Sequence, residues 1–464
     1  MANKPGVLLV TIDSLRHDAV GCMGFPGART PNIDTLAQEG VVFRQAISNG
    51  PRTPSSFPAI LSSVYPLLSS EQGIAENAVT WAEAMREAGY RTAGFNLDNP
   101  YLSAKYGYGR GFERYEDFWS GERAGEPKKR RSWRRTKRAV QDWIGRRNLA
   151  FLFFLQGLLA RRNTPSVKGT LATDKAIEWI AQPDRRPFFC WLHYMEVHYP
   201  YLPLGRAPTL GDRLRYLAAI LAVTVGAYAY PLRILRQMYA DRVSCVDGMV
   251  GRLLAALRAR GLDRDTIVVV TADHGDMFRE HGWFTHGPMP YDELLRVPLI
   301  VAGPGRIEPR RIDGQVALID LAPTLLDILG VAIPASFQGS SFLPLARGNV
   351  VGVACACSGA THDGRRRSRL AAHGKYRILS CRTPDWKYIF DEEGPKHELY
   401  NLRSDPGERE NVFGRERAPA AQMQERMRQH LRMLEEQSAH YRLAPGGAEE
   451  DEAVRRRLAA LGYL

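Results

Sequence analysis

Asp273 and His274 close the apolar run Thr266-Ile-Val-Val-Val-Thr-Ala, and Gly275 follows, where the backbone can turn sharply. A short run rich in β-branched residues predicts a fully buried parallel strand. In open α/β sheets ligands sit beyond the carboxyl ends of the strands, so a carboxylate beside an imidazole at that point suits a divalent metal. The same pair would also serve as a helix-capping Asp beside a surface His. A second buried-strand run, Val7-Leu-Leu-Val-Thr-Ile12, also ends on an acid, Asp13. Two strands that deliver an acid at the same end strengthen the expectation of a shared metal site. Thr53 precedes Pro54-Ser-Ser-Phe-Pro-Ala-Ile-Leu-Ser-Ser63, a segment expected to be helical, with Ser55 and Ser56 as its N-capping oxygens. Backbone N–H groups and the helix dipole favour an anion at that position, which suits a nucleophile or a plain capping threonine.

The elements that must position these residues alternate between strand and helix. A short helix over Pro31–Gly40 leads to a strand at Val41–Ala46, and a helix over Trp81–Ala88 leads to a strand at Thr92–Phe95. Phe188–His193 is another buried strand, with His198 in the loop beyond it. His193 itself reads as structural. Met238–Arg260 has the spacing of an amphipathic helix closed by Gly261, Leu299–Val301 reads as a strand, and Leu321–Leu329 as a helix closed by Gly330. From about residue 350 the pattern changes to short strands at 351–355, 369–372, 376–380, 386–390 and 397–402, followed by a charged helix at Ala418–Glu436. There are no internal repeats.

With 464 residues and 44% hydrophobic content the chain can bury a large core in a domain plus subdomain. Its six cysteines offer no close spacing beyond Cys355-x-Cys357, and Val7 already opens a strand with no leader before it. Both features lead to the expectation of a reduced, cytoplasmic protein. The net charge of +13 is concentrated in part between Lys128 and Arg162, around the apolar segment Leu149–Ala160. That combination predicts peripheral contact with an anionic, inner membrane surface, or else a helical lid. No nucleic-acid recognition motif accompanies the basic run. A second apolar stretch, Tyr216–Leu232, cannot be a lone span, because His198 before it and Asp273 after it must meet in one site.

Many short pieces, in order, resemble the sulfatase family of the alkaline phosphatase superfamily. They include Thr11-Ile-Asp-Ser-Leu-Arg16, Thr30-Pro-Asn-Ile-Asp34, Gly89-Tyr-Arg-Thr-Ala-Gly94, His198-Tyr-Pro-Tyr201, Asp273-His-Gly-Asp276, Asp385-Trp-Lys387 and Glu398–Glu408. The resemblance implies an α/β fold with a mostly parallel sheet flanked by helices. It assigns residues 1–345 to a catalytic domain with insertions at 121–165 and 205–236, and 350–464 to a small antiparallel C-terminal subdomain. In the family signature C/S-x-P-x-R the first residue becomes formylglycine. Here Thr53 takes that place, Ser55 the proline's and Phe57 the arginine's, and the lysine of a Gly-Lys-x-His signature is replaced by Phe95.

The resemblance thus implies one divalent metal held by Asp13, Thr53, Asp273 and His274, with no formylglycine. Ser14 stands where relatives carry a further acid, which favours Mn²⁺ or Zn²⁺ over Ca²⁺. A second ion using Glu196, His198 or His286 has no ligand motif to support it. His198 and His286 are expected to stabilise oxygens or protonate the leaving group, and His281 to touch substrate. Asn99 suits either a substrate contact or a turn before Pro100. Threonine at the nucleophile position is the pattern of superfamily phosphodiesterases and phosphotransferases, so the expected substrate is a small or lipid-linked phosphoester. The rival readings are a sulfuric ester hydrolase and an inactive membrane- or nucleic-acid-binding scaffold. Oligomeric state is left open.

Overall fold

The protein was analysed as a computed structural model describing residues 4–442, except 26, 70–72, 97, 118–164, 203–208, 225–228, 304, 306, 349–354, 364–374 and 393–395. The basic and apolar segment 128–162, the expected strand at 369–372 and residues 351–354 of another lie outside the described residues.

The strands of the main sheet are β1 (Gly6–Ile12), β2 (Gly40–Ile47), β3 (Arg91–Asn96), β4 (Arg114–Asp117), β5 (Phe188–Tyr194), β6 (Thr266–Ala272), β9 (Arg296–Ala302) and β10 (Arg310–Ala317). Between β6 and β9 lies a two-stranded ribbon, β7 (Met277–Phe278) and β8 (Phe284–Thr285). The eight strands lie in the order β10-β2-β9-β6-β1-β5-β3-β4. All neighbours are parallel except β9, which runs antiparallel to both β2 and β6. Helices cover the sheet: α1 (Pro31–Gln38), α2 (Thr53–Ser62), α3 (Trp81–Glu87), α4 (Pro165–Ile180), α5 (Leu210–Thr224), α6 (Ala229–Arg258) and α7 (Leu321–Leu329). Every residue of β1, β5 and β6 is buried, as their unbroken apolar runs require.

A second sheet is antiparallel and sequential: β11 (Ala356–Asp363), β12 (Lys375–Arg382), β13 (Trp386–Asp391) and β14 (Lys396–Asn401). Helix α8 (Arg417–Ser438) lays Ala420, Met423 and Met427 on it. Hydrogen bonds from Asn49 Nδ2 to the Cys357 carbonyl (2.9 Å) and from Gln315 Nε2 to the Arg382 carbonyl (2.9 Å) join the two sheets.

The apolar stretch 216–232 falls on α5, α6 and residues outside the description. Tyr216 and Ala219 are buried, and Tyr216 packs against Tyr199 with ring centroids 6.0 Å apart. Among the described residues no helix is long and apolar enough to cross a membrane.

Candidate active site

Register builds the centre of the site. β1 lies between β5 and β6, and Ile12 is level with both Tyr194 and Ala272. The next residue on each of β1 and β6 is an acid, so Asp13 and Asp273 leave the sheet side by side, about 4.8 Å being the usual strand spacing. Gly275 lets the chain turn here: a Cβ on it would lie 2.1 Å from the Glu293 carbonyl oxygen. β2 leads through Ser48 to α2, whose first residue is Thr53. Ser48 Oγ and Ser56 Oγ both donate to the Asp273 carbonyl, at 2.6 and 2.7 Å, tying that helix to the end of β6.

Asp13, Asp273 and His274 converge, their ligand atoms lying within 4.8 Å of one another, and all three are fully buried. Thr53 Oγ1 donates to Asp13 Oδ2 at 3.2 Å and lies 3.4 Å from His274 Nε2. His274 Nδ1 is 2.8 Å from the Gly275 carbonyl, which can only accept, so the proton sits on Nδ1. Nε2 then presents its lone pair 3.5 Å from Asp273 Oδ2 and 3.9 Å from Asp13 Oδ1. Asp273 Oδ2 is buried without a hydrogen-bond partner among the described residues. A bare imidazole nitrogen, an unpartnered carboxylate oxygen and a second carboxylate fit a divalent cation. Burial pushes both carboxyls up. The charge of Asp13 pushes Asp273 further above the carboxylate range, while His198, His193 and His274 hold Asp13 below it.

Further residues orient Asp13. Ser14 Oγ donates to its Oδ1 at 2.7 Å and Asn99 Nδ2 to its Oδ2 at 3.2 Å. A relay runs from Trp191 Nε1 to Thr11 Oγ1 (3.0 Å), then to His193 Nδ1 (3.0 Å), and leaves His193 Nε2 3.6 Å from Asp13 Oδ2. His193, read as structural from its place inside a strand, therefore faces one of the two acids of the candidate metal site. Phe57, in the arginine's place, packs edge-on against His193 with ring centroids 5.0 Å apart.

His286 follows β8, its ring tilted against those of His274 and His198 at centroid distances of 4.7 and 5.0 Å, joining both predicted histidines to the centre. Burial pushes His198 down to about 4 and His286 to about 3, so both imidazoles are neutral near pH 7. His198 Nδ1 donates to the Tyr199 carbonyl at 2.5 Å. Asp276 accepts from the Tyr201 hydroxyl and lies 3.6 Å from His286 Nδ1. His281 sits in another cluster, stacked 3.7 Å from Tyr291 with Nε2 3.2 Å from Glu293 Oε2. Glu196 is not among the ligands that meet at Asp13; burial raises it to about 8, and Arg242 bonds its carbonyl. The helix starts earlier than expected, at Thr53 with Pro54 in its first turn. Ser55 does supply a capping oxygen, its Oγ accepting from the Arg52 backbone N–H at 3.3 Å, whereas Ser56 Oγ bonds the Asp273 carbonyl instead.

The sequence profile of the sulfatase family matches residues 5–331, well over half of the chain. The chain belongs to the sulfatase family. A second profile, the C-terminal region of N-sulphoglucosamine sulphohydrolase, matches residues 279–437. Arylsulfatase K of Rattus norvegicus is 26% identical over 89% of this chain and 75% of its own. The Delta 4,5-hexuronate-2-O-sulfatase of Bacteroides thetaiotaomicron is 25% identical over 88% of this chain and 84% of its own. A solved structure of a Bacteroides thetaiotaomicron protein described as a sulfatase superposes with a TM-score of 0.68 at 23% identity, covering 96% of each chain. These relatives overturn the expectation of a phosphoester substrate. That expectation rested on Thr53 and on Phe57 and Phe95 in place of the signature's arginine and lysine, and an alkoxide from threonine can attack sulfur or phosphorus alike. The likeness over nearly nine-tenths of the chain is to sulfatases.

Proposed function

We propose that this chain hydrolyses sulfuric esters at the Asp13–Thr53–Asp273–His274 centre. The observation that carries the reading is Thr53 Oγ1, placed on the first residue of α2 within 3.2 Å of Asp13 and 3.4 Å of His274. The sulfatase names of relatives spanning nearly the whole chain support the ester class. Oxidation of a threonine side chain gives a ketone, not an aldehyde, so Thr53 acts here as an unmodified alcohol.

A divalent cation held by Asp13, Asp273 and His274 would neutralise the ester's oxygens and lower the hydroxyl's pKa, and the donor set suits Mn²⁺ or Zn²⁺. Asn99, Ser14 and His193 hold Asp13 in place for this. Thr53 Oγ1 attacks sulfur, its proton leaving along the hydrogen bond to Asp13, as the bond from sulfur to the leaving oxygen breaks. The positive end of the α2 dipole, at Thr53, favours the negative charge of the sulfate oxygens. An anionic ester beside His198 and His286 raises their proton affinity, which lets one of them protonate the leaving oxygen. Water then cleaves the sulfate ester on Thr53 and restores the hydroxyl.

The test is turnover of matched 4-nitrophenyl sulfate, phosphate and bis-phosphate esters by the wild type and by Thr53→Ala. The sulfate should be the fastest of the three, and its turnover should fall at least a thousandfold in the variant. A phosphoester cleaved faster than the sulfate would overturn the reading, as would full activity in Thr53→Ala.

A further inference from the structure

Three of the six cysteines meet away from the catalytic centre. Cys357 on β11 is directly opposite Cys381 on β12 in the antiparallel ladder, and their Sγ atoms are 3.1 Å apart. Cys355 lies two residues before Cys357, so its side chain leaves the chain on the same face, with Sγ 3.9 Å from that of Cys357. All three sulfurs lie within 4.8 Å of one another. Cys357 and Cys381 are buried and Cys355 is half-buried. Helix α8 closes the group with Met427, whose Sδ is 3.8 Å from Cys381 Sγ.

Buried thiols make weak hydrogen bonds and do not need one another's company for packing. Three of them with a thioether form a donor set made only of soft sulfur, which selects zinc or cuprous copper over hard cations. Zinc–thiolate bonds of about 2.3 Å place the sulfurs of a tetrahedral site roughly 3.8 Å apart, within the range these three already span.

We propose that Cys355, Cys357 and Cys381 form a second metal site, for a thiophilic cation of the Zn²⁺ or Cu⁺ type, with Met427 as a further soft donor. The cation would clip the approach to β11 onto β12. That clip backs the catalytic loop. The Cys357 carbonyl accepts from Asn49 at 2.9 Å, and Ser358 Oγ donates to the Ser48 carbonyl at 2.6 Å. Ser48 in turn holds the Asp273 carbonyl at 2.6 Å. The site therefore supports the segment that leads to Thr53 from behind, without touching substrate.

The test uses the full chain, purified anaerobically, stripped with a chelator and titrated with Co²⁺ as the probe. Only thiolate ligands give intense near-ultraviolet charge-transfer bands with cobalt, so cobalt held at the Asp–His centre adds none. The wild type should develop such bands, complete within two equivalents because each site takes one. Asp273→Asn should keep them. Cys381→Ser and Cys355→Ser should each weaken cobalt binding at this site at least tenfold. If circular dichroism shows that Cys381→Ser does not fold, Cys355→Ser, at the half-buried position, decides. Lack of the bands in the reduced wild type would overturn the proposal, as would undiminished bands in a folded serine variant. Peptide mapping that finds a Cys357–Cys381 disulfide in the anaerobic protein would overturn it too.

Discussion

Asn99 Nδ2 donates to Asp13 Oδ2 at 3.2 Å, across 86 residues of sequence, and so fixes the carboxylate that Thr53 also contacts. Its Oδ1 accepts from the Tyr101 backbone at 3.1 Å, which sets which end of the amide faces Asp13. Partners that orient a metal ligand are commonly worth 10–100-fold in metal affinity or activity. Asn99→Ala should therefore lower metal affinity and kcat by about that factor while KM changes little. Asn99→Asp should do worse, because it places a third buried carboxylate beside two. Isothermal titration with Mn²⁺ and steady-state kinetics check both, and an unchanged kcat in Asn99→Ala would remove the positioning role.

Asp13 and Asp273 repel each other across a buried gap, and a cation that joins them relieves this cost. Metal removal should therefore destabilise the wild type by about 2.7 kcal/mol relative to protein in metal at a hundred times its Kd. Asp273→Asn should raise the stability of the stripped protein, since the amide carries no charge, and should abolish the difference between the stripped form and one reloaded with Mn²⁺ alone, a hard ion that the sulfur cluster does not select. Thermal unfolding of stripped protein with and without added Mn²⁺ decides this. A Mn²⁺ effect of equal size in Asp273→Asn would place the stabilising metal elsewhere.

The two acids were readable because each closes an unbroken apolar run, and such runs become adjacent buried strands with little freedom of register. Thr53 and the helix after it were readable from proline and serine chemistry, but its first turn was misplaced: proline suits the first turn of a helix as well as an extended approach. Asn99 and His193 were harder to read. The signal at Asn99, an amide before a proline, is a local turn signal, and it masks a contact made through the fold. His193 sits inside an apolar strand, where a histidine looks like packing until Thr11 and Trp191 are seen to set its tautomer. The reversed direction of β9 leaves no trace in its sequence, since a strand buried on both faces has the same composition either way.

Lys387 is fully buried, with Nζ 2.8 Å from Asp292 Oδ1 and 2.8 Å from Glu408 Oε1. Arg382 shares Asp292, with Nη2 2.9 Å from its Oδ2, whereas Glu408 has the lysine on Oε1 and the Asp292 backbone N–H on Oε2 at 2.6 Å. Burial already raises Glu408 to about 7 despite the lysine's charge. Lys387→Met should cost about 3–5 kcal/mol, the usual penalty for removing one partner of a buried pair. Adding Glu408→Gln to it should return a large part of that loss. Denaturant unfolding of the single and double variants is the check, and a double variant no more stable than Lys387→Met would show that the charge is not the cause.

His281 and Glu293 form an ion pair at 3.2 Å whose side chains are 10% and 14% exposed. Burial alone would lower the imidazole's pKa, but pairing with Glu293 outweighs it, helped by Glu408 and opposed by Lys387, and the net shift is upward from 6.5. Glu293 is shifted downward from 4.5, its own burial being outweighed by His281. A histidine raised in the folded state stabilises fully below its unfolded pKa and loses that contribution as pH rises through the folded one. The depressed glutamate contributes above 4.5 and loses its share as pH falls through its lower folded value. The pair is thus at full strength between these limits, near pH 5–6, and its contribution to the unfolding free energy should be lost as pH rises from there toward 9. Glu293→Gln should flatten that decline, because the amide no longer favours the imidazolium. Urea unfolding at pH 5.5, 7 and 9 measures the slope for both proteins. An equal slope in the variant would assign the alkaline loss to other groups and leave His281 without a pH-dependent role in stability.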